Sequence, residues 1–458
     1  MNRTCGAGAS RAFSSLVLAG ALWLGGCASH SDKTLEIRSA LDASNPKQAL
    51  KLLNEQLDTK SEKELPEDTS GDTSLFLLDR AMVLQQLQSY KYSSRDLEVC
   101  DKQVQMMDFS RNTAHDIGRY LFSDDVGPYK APPFEKLLIN TMNMVNYLVQ
   151  GDLQGARVEA RRLAVMQKYL KDNDPDNALA APGSYLAGFT FEKSGSYDEA
   201  LRYYDDALAY GQYQTLRDPV RRLMAKSPVS TPRLRKIAGL AEGAQPPTTE
   251  PPAPGSEPAE LLVIVGYGRV APKIAKRIPI GLALTYASAF MSPADVSKAN
   301  YMAAQGLVTW INYPELGEAR GQNSIPYFFV DGSPQALEGI VAVDLEAKRA
   351  WDDTRGAVVA SAITRMIVRI AAGEGVRQAS GEGTTGAILS LVTQATMVAA
   401  DTPDTRSWAT LPARIAFGRI TLPPGPRTIQ LKARNATLTR KIDLKPGGFN
   451  VIGLTVLQ

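Results

Sequence analysis

Two rhythms of apolar residues divide this chain. From residue 34 to 240, apolar side chains recur at intervals of three and four, the spacing that places them on one face of a helix. The clearest stretch covers residues 186–208, Leu-Ala-Gly-Phe-Thr-Phe-Glu-Lys-Ser-Gly-Ser-Tyr-Asp-Glu-Ala-Leu-Arg-Tyr-Tyr-Asp-Asp-Ala-Leu. It predicts two helices joined over residues 193–196, where Gly195 relaxes the turn. Gly188, Ala200 and Ala207 let the two backbones approach, and Phe191, Tyr197 and Tyr204 fill the gap between them. A weaker copy runs over residues 147–163, with Tyr147, Gly151, Leu153, Ala156 and Ala160 in equivalent places. Residues 49–53 and 76–99 suggest further, degenerate copies. One helix pair cannot bury its apolar face alone, so three or more stacked pairs are expected.

The second rhythm begins after residues 245–258, Gln-Pro-Pro-Thr-Thr-Glu-Pro-Pro-Ala-Pro-Gly-Ser-Glu-Pro, a composition suited only to an extended linker. Residues 260–267 and 278–285 are strand-like apolar runs. Residues 336–371 read as one long helix or two, with Ile363, Ile367 and Ile370 on one face and Arg365 and Arg369 beside it. A second apolar helix is expected over 387–400. It is too short to span lipid, and the pair is read as packing on the neighbouring sheet, a hairpin dipping into a membrane being the alternative. The chain ends in four strands, 414–422, 428–433, 437–444 and 450–456, with Pro/Gly turns at 423–426 and 445–448. They predict a small β-sandwich or a sheet covered by the helices. The fold class is therefore α+β: an all-helical repeat region over 34–240, a linker over 241–259 and a mixed domain over 260–458.

The helix pair at 186–208 resembles a tetratricopeptide repeat in its small and aromatic positions, with Gly211 where that family places a closing proline. At the other end, Arg3 and Arg11 precede an apolar run over 13–24, and Leu24-Gly25-Gly26-Cys27 follows. A basic lead, about a dozen apolar residues and small residues before the cut make a secretory signal. The run is shorter than the ~20 residues a spanning helix needs. The four-residue ending resembles the bacterial lipoprotein box. That resemblance implies cleavage after residue 26, acylation of Cys27 on sulfur and amine, and a tether over 27–33. No Asp follows Cys27, and Ala28-Ser29 resembles an outer-membrane address, so the chain is expected on the outer membrane, facing the periplasm.

Composition narrows the chemistry. With 51 basic against 48 acidic side chains, no strong field draws in nucleic acid. Cys5 leaves with the signal and Cys27 carries lipid, so Cys100 has no disulfide partner and reads as a small buried residue. The two histidines, His30 and His115, do not make a multi-histidine metal site. Asp124, Asp125 and Glu135, in a proline-rich loop over 124–136, are read as solvated turn acids rather than cation ligands. The run Val265-Gly266-Tyr267-Gly268-Arg269-Val270-Ala271 looks like a dinucleotide turn, but that site needs a helix to start here. Pro272 and Pro279 oppose one, and residues 274–294 hold no acid for a ribose. The expectation is a tight turn between two strands and no cofactor.

The remaining polar cluster, Asp401-Thr402-Pro403-Asp404-Thr405-Arg406-Ser407-Trp408, offers an acid, a base and an aromatic. Asp404 and Arg406 are candidate partner-binding residues, with a structural corner the preferred reading. Arg157, Arg161, Arg162, Arg202 and Tyr203, on the second helices of the two clearest repeats, are the candidate groove residues. Several strings in order, Phe134-Glu135-Lys136, Gly151-Asp152-Leu153, residues 156–162, Gly268-Arg269-Val270-Ala271-Pro272-Lys273, residues 404–408 and Leu411-Pro412-Ala413, are similar to a family of uncharacterised bacterial tetratricopeptide lipoproteins. Members are sometimes encoded beside activators of penicillin-binding proteins. The resemblance implies architecture and location, and the neighbouring genes point to peptidoglycan synthesis or envelope assembly. The helical repeats themselves are read as a non-enzymatic scaffold that presents a concave groove to a protein partner in the periplasm. A structural subunit of a larger envelope assembly, self-association, and a cell-wall-modifying enzyme are the alternatives.

Overall fold

The computed structural model describes residues 29–106, 129–173, 178–241, 244, 253–379 and 402–458. Its first half is helical: α1 (His30–Lys33), α2 (Leu35–Asp42), α3 (Pro46–Gln56), α4 (Gly71–Gln86), α5 (Tyr90–Gln103), α6 (Pro133–Val149), α7 (Leu153–Asn173), α8 (Ala180–Lys193), α9 (Tyr197–Ala207), α10 (Arg217–Met224) and α11 (Pro232–Ala238). Two short strands, β1 (Gln105–Met106) and β2 (Lys130–Ala131), pair in parallel between α5 and α6.

Four hairpins, α2/α3, α4/α5, α6/α7 and α8/α9, close through the same turn. Ser44, Gln88, Gly151 and Gly195 each take positive φ, at 60°, 62°, 75° and 81°. Their N–H groups donate to Leu41, Gln85, Leu148 and Glu192, three residues back. The next residues, Asn45, Ser89, Asp152 and Ser196, donate five residues back to Ala40, Leu84, Tyr147 and Phe191. This double closure satisfies carbonyls that a helix end leaves without partners. Five residues past each turn stands a small buried residue, Ala49, Ser93, Ala156 or Ala200, and nine past it a buried Leu53, Leu97, Ala160 or Tyr204. Positions four apart share a helix face, so each second helix presents the same edge to its first. Gly188 shows why the small residues matter: a Cβ there would fall onto the Tyr204 ring.

The strands follow: β3 (Ala259–Tyr267), β4 (Lys273–Pro279), β5 (Trp310–Leu316), β6 (Tyr327–Val330), β7 (Ser333–Gln335), β8 (Glu338–Ala342), β9 (Arg414–Leu422), β10 (Gly425–Ala433), β11 (Ala436–Leu444) and β12 (Phe449–Val456). Interspersed are α12 (Ile280–Ala287), α13 (Pro293–Ala304) and α14 (Val343–Ala379). One sheet runs β12-β3-β9-β8, with β12 parallel to β3 and the other pairs antiparallel; a second runs β11-β10-β6-β7. Alternate residues of β3 divide between two cores. Leu261, Val263 and Val265 meet Phe328, Ile429 and Leu431 of the second sheet. Leu262 and Ile264, with Phe417 and Val451, join the core of the helical hairpins. Every residue of β3 is buried, as a strand covered on both faces must be. Both expected arrangements, a sandwich and a helix-covered sheet, therefore occur together, and the segments on either side of the linker share one apolar core. β4, β5, α12, α13 and α14 build a separate small core around Ile278, Ile311, Trp351 and Val359.

Some expectations need correction. Residues 278–285 do not form a strand: β4 ends at Pro279 and α12 begins at Ile280. Buried Ile280, Ala283 and Ala287 reveal the helical spacing that a run of contiguous apolar residues hid. The helix expected over 336–371 starts only at Val343, because Glu338–Ala342 pair with β9 through a bulge at Gly339. Ile363, Ile367 and Ile370 are buried as expected. Glu135 is no solvated turn acid; it lies buried in the first turn of α6. Residues 29–33, expected as a tether, form a docked helix. The turn after β3 opens no helix: Gly268 at φ 69° leads toward β4, and Arg269 and Arg320 exchange backbone hydrogen bonds. No helix among the described residues is long and apolar enough to cross a membrane. The helix expected over 387–400 and most of the proline-rich linker lie outside the described residues, as do Cys27, His115, Asp124, Asp125 and Asp401.

Candidate functional site

The segment over residues 404–410 enters the core as a polar corner, and the first described residues fold onto it. Ser29 caps α1 through a reciprocal pair with Asp32, the arrangement in which side chain and backbone satisfy each other's donors. Ser29, His30 and Ser31 are only 2%, 2% and 6% exposed. The Ser31 N–H donates to Thr405 Oγ1 at 2.9 Å, and Arg38 donates to the Ser31 carbonyl at 2.8 Å. Arg406 donates through Nε and Nη2 to the two oxygens of Asp404, at 2.8 Å each, and through Nη1 to Asp72 of α4 at 3.2 Å. Asp79 of α4 accepts from the backbone N–H and hydroxyl of Thr410 at 3.1 and 2.7 Å. Tyr129 donates its hydroxyl to Glu135. Arg269 reaches the Arg38 carbonyl at 3.1 Å and pairs with Asp42.

Burial sets the protonation of this junction. It drives the Asp79 carboxyl up to about 7, against the opposing Thr410 hydrogen bonds and Arg38. Glu135 is raised for the same reason, as is the Tyr129 hydroxyl beside it. The His30 ring is lowered to about 3, chiefly by burial and further by Lys33, Arg406 and Arg38, with Asp404 opposing. It lies 5.1 Å from the Phe76 ring, and among the described residues neither of its nitrogens has a partner. The carboxylates accept from donors far along the chain as well as near ones, an arrangement that locks chain segments together. The Arg406 side chain is 1% exposed, so it holds the corner and is not presented to solvent; Asp404 is turned inward onto it.

A second buried network welds helices to sheet. Arg419 of β9 donates to Glu192 of α8 at 2.6 Å, to Glu260 of β3 at 2.7 Å and to the Tyr204 hydroxyl of α9 at 2.7 Å. Burial alone would raise Glu260, but Arg419, Lys193 and Arg222 outweigh it and hold the carboxyl well below its ordinary value. Neither Glu260 nor Arg419 was singled out from the sequence. Their signal is weak but real: Glu260 is the one charge in β3, and Arg419 sits amid the mostly apolar residues 415–422.

The candidate groove residues fall into three groups. Arg157 places its guanidinium 5.8 Å from the Phe191 centroid, Tyr203 stacks on the same ring at 5.3 Å, and Tyr203 donates to the Ala160 carbonyl at 3.3 Å. Arg161 is exposed and close enough to Tyr203 to lower its hydroxyl, although burial leaves that hydroxyl raised on balance. Arg202 is exposed one residue away on α9. Arg162 instead turns to Glu159 at 2.9 Å and Asp101 at 3.6 Å. The structure thus gathers Arg157, Arg161 and Tyr203, and leaves Asp404 and Arg406 at a different place. An open groove of about 210 Å³, lined by Lys91, Arg95, Glu98, Tyr147 and Gln150, lies between α5 and α6. No protein-family model matches the chain, and comparison with curated proteins finds no match.

Proposed function

We propose that this chain is an outer-membrane lipoprotein, acylated at Cys27 and facing the periplasm, that serves without enzymatic chemistry as a protein-interaction scaffold of the cell envelope. The observation that carries the reading is the fourfold helix hairpin, with the same turn and the same small residue five positions on. That regularity supports a tetratricopeptide-like array over residues 34–240, and stacked repeats of this kind offer long surfaces to other proteins. The strip of Arg157, Arg161, Arg202 and Tyr203, held by Phe191, supplies charge and aromatic area suited to an acidic partner segment. The link to peptidoglycan synthesis or envelope assembly rests on the family resemblance. A photo-crosslinker placed at Arg161 or Arg202 in cells is expected to capture a discrete envelope protein, and Arg161→Glu with Arg202→Glu to abolish that adduct. Recovery of no envelope protein from cells rich in the lipoprotein would overturn the scaffold reading.

A further inference from the structure

Residues 278–314 contain only two charged side chains, Asp295 and Lys298, where the chain's 22% charged composition would place about eight in that length. These residues are not hidden in a core. They build β5, α12 and α13 of the small module, and Leu282, Phe290, Leu307 and Trp310 are 43–46% exposed while Tyr301 reaches 65%. Soluble surfaces disperse such side chains, and their concentration on elements packed against one another marks a contact face. The pairing register makes part of it explicit. Pro279 stands opposite Trp310 and Ile278 opposite Ile311, so the isoleucines face the module's core while Trp310 faces outward. Arg277 shares the Trp310 face, with its guanidinium 5.6 Å from the indole centroid. No acid occurs between residues 274 and 294 to oppose it.

The position of this face identifies its occupant. Helix α1 packs beside β4. Residues 405–407 bridge the two, since Thr405 accepts from Ser31 and Ser407 accepts from the Lys273 N–H at 3.2 Å. Cys27 is only two residues before Ser29, a chain reach of at most about 7 Å. We propose that the outward face of β4, β5 and α12, centred on Trp310, Leu282 and Arg277, rests on the anionic phospholipid surface of the leaflet that holds the acyl chains. The inference rests on Cys27 as the anchor point. Apolar and aromatic side chains enter the headgroup boundary, with Arg277 on a lipid phosphate. Acyl chains on the sulfur and amine of one residue fix a point but not the orientation of the body, which a second point of contact sets.

The test uses residues 27–458 with Cys27→Ser, made without the leader so that acyl chains, the apolar run over 13–24 and Trp23 are all absent, and vesicles of phosphatidylethanolamine with phosphatidylglycerol, compared with phosphatidylcholine alone. The protein is expected to float with the anionic vesicles, and Trp310→Glu or Arg277→Glu to weaken this about tenfold or more. Trp351 and Trp408 are buried, so Trp310 reports the contact, and lipids brominated on their acyl chains should quench it. Trp310→Phe should keep binding and lose the quenched signal, which separates contact from misfolding. Absence of flotation, or flotation indifferent to these substitutions, overturns the proposal. So does a dimer in sedimentation that Trp310→Glu abolishes, which would assign the face to a second copy of the chain. Binding here is read without acyl chains, so its failure is distinct from failure of the anchor, which palmitate labelling tests separately.

Discussion

At the scale of single residues, the polar corner sets two titrations against each other. Asp79, raised from 3.8 to about 7, keeps a proton in the folded chain that the unfolded chain has lost, so between those values its contribution makes stability fall as pH rises. His30, lowered from 6.5 to about 3, refuses a proton that the unfolded chain accepts, so its contribution is present above pH 6.5 and is lost as pH falls toward 3. The two slopes oppose each other over most of one window. Asp79→Asn keeps an oxygen for Thr410 and should leave His30 unopposed, steepening the loss of stability on acidification from pH 6.5 to 4. His30→Phe should reverse the sign, each change amounting to at most about 1.4 kcal/mol per pH unit. Urea unfolding across a pH series measures both, and parallel curves for the two variants would refute the pairing. Arg419 is the other residue with a large expected effect. Its removal leaves Glu192 and Glu260 buried without their shared cation, so Arg419→Ala should cost about 3–5 kcal/mol in the same assay. An unchanged midpoint would show that the network contributes nothing to holding helices on sheet.

At the scale of elements, the hairpin turns separate what patterning shows from what it hides. Gly151 and Gly195 announce two of the four turns, because glycine enters the left-handed region without a Cβ clash. Ser44 and Gln88 hold the same conformation with side chains, so their turns left only faint traces in the sequence. Ser44→Gly should therefore raise stability by up to about 1 kcal/mol, and Gly195→Val should lower it by more than that. Thermal melts of the two variants that moved in the same direction would contradict the shared-turn geometry. The terminal strands and the covered sheet were legible because their signals are local: alternation toward the end of β10, and an unbroken apolar run in β3. The strand Glu338–Ala342 was not, since its pairing with β9 joins residues about 75 apart in sequence. Much of the candidate site was invisible for the same reason. Ser29-His30-Ser31 has the composition of a tether, and only Thr405 and Phe76, brought from far along the chain, turn it into a docked segment. The Asp404–Arg406 corner, two residues apart, was readable in advance.

For the whole molecule, the consequence is that folded structure begins at Ser29, two residues after the proposed anchor at Cys27. Helical hairpins, a two-sheet sandwich and a small sparsely charged module meet near the residues that follow Cys27. If the proposed anchor at Cys27 holds, this arrangement would keep the body in one orientation, with its helical surface presented at a fixed height. All of this depends on acylation of Cys27. Metabolic labelling with palmitate, followed by separation of inner and outer membranes, tests that point most directly. Label should enter the wild-type protein in the outer-membrane fraction, and Cys27→Ser should carry none and be released by a salt wash. An unlabelled wild-type protein, or a Cys27→Ser variant still labelled and firmly membrane-bound, would contradict the anchored arrangement.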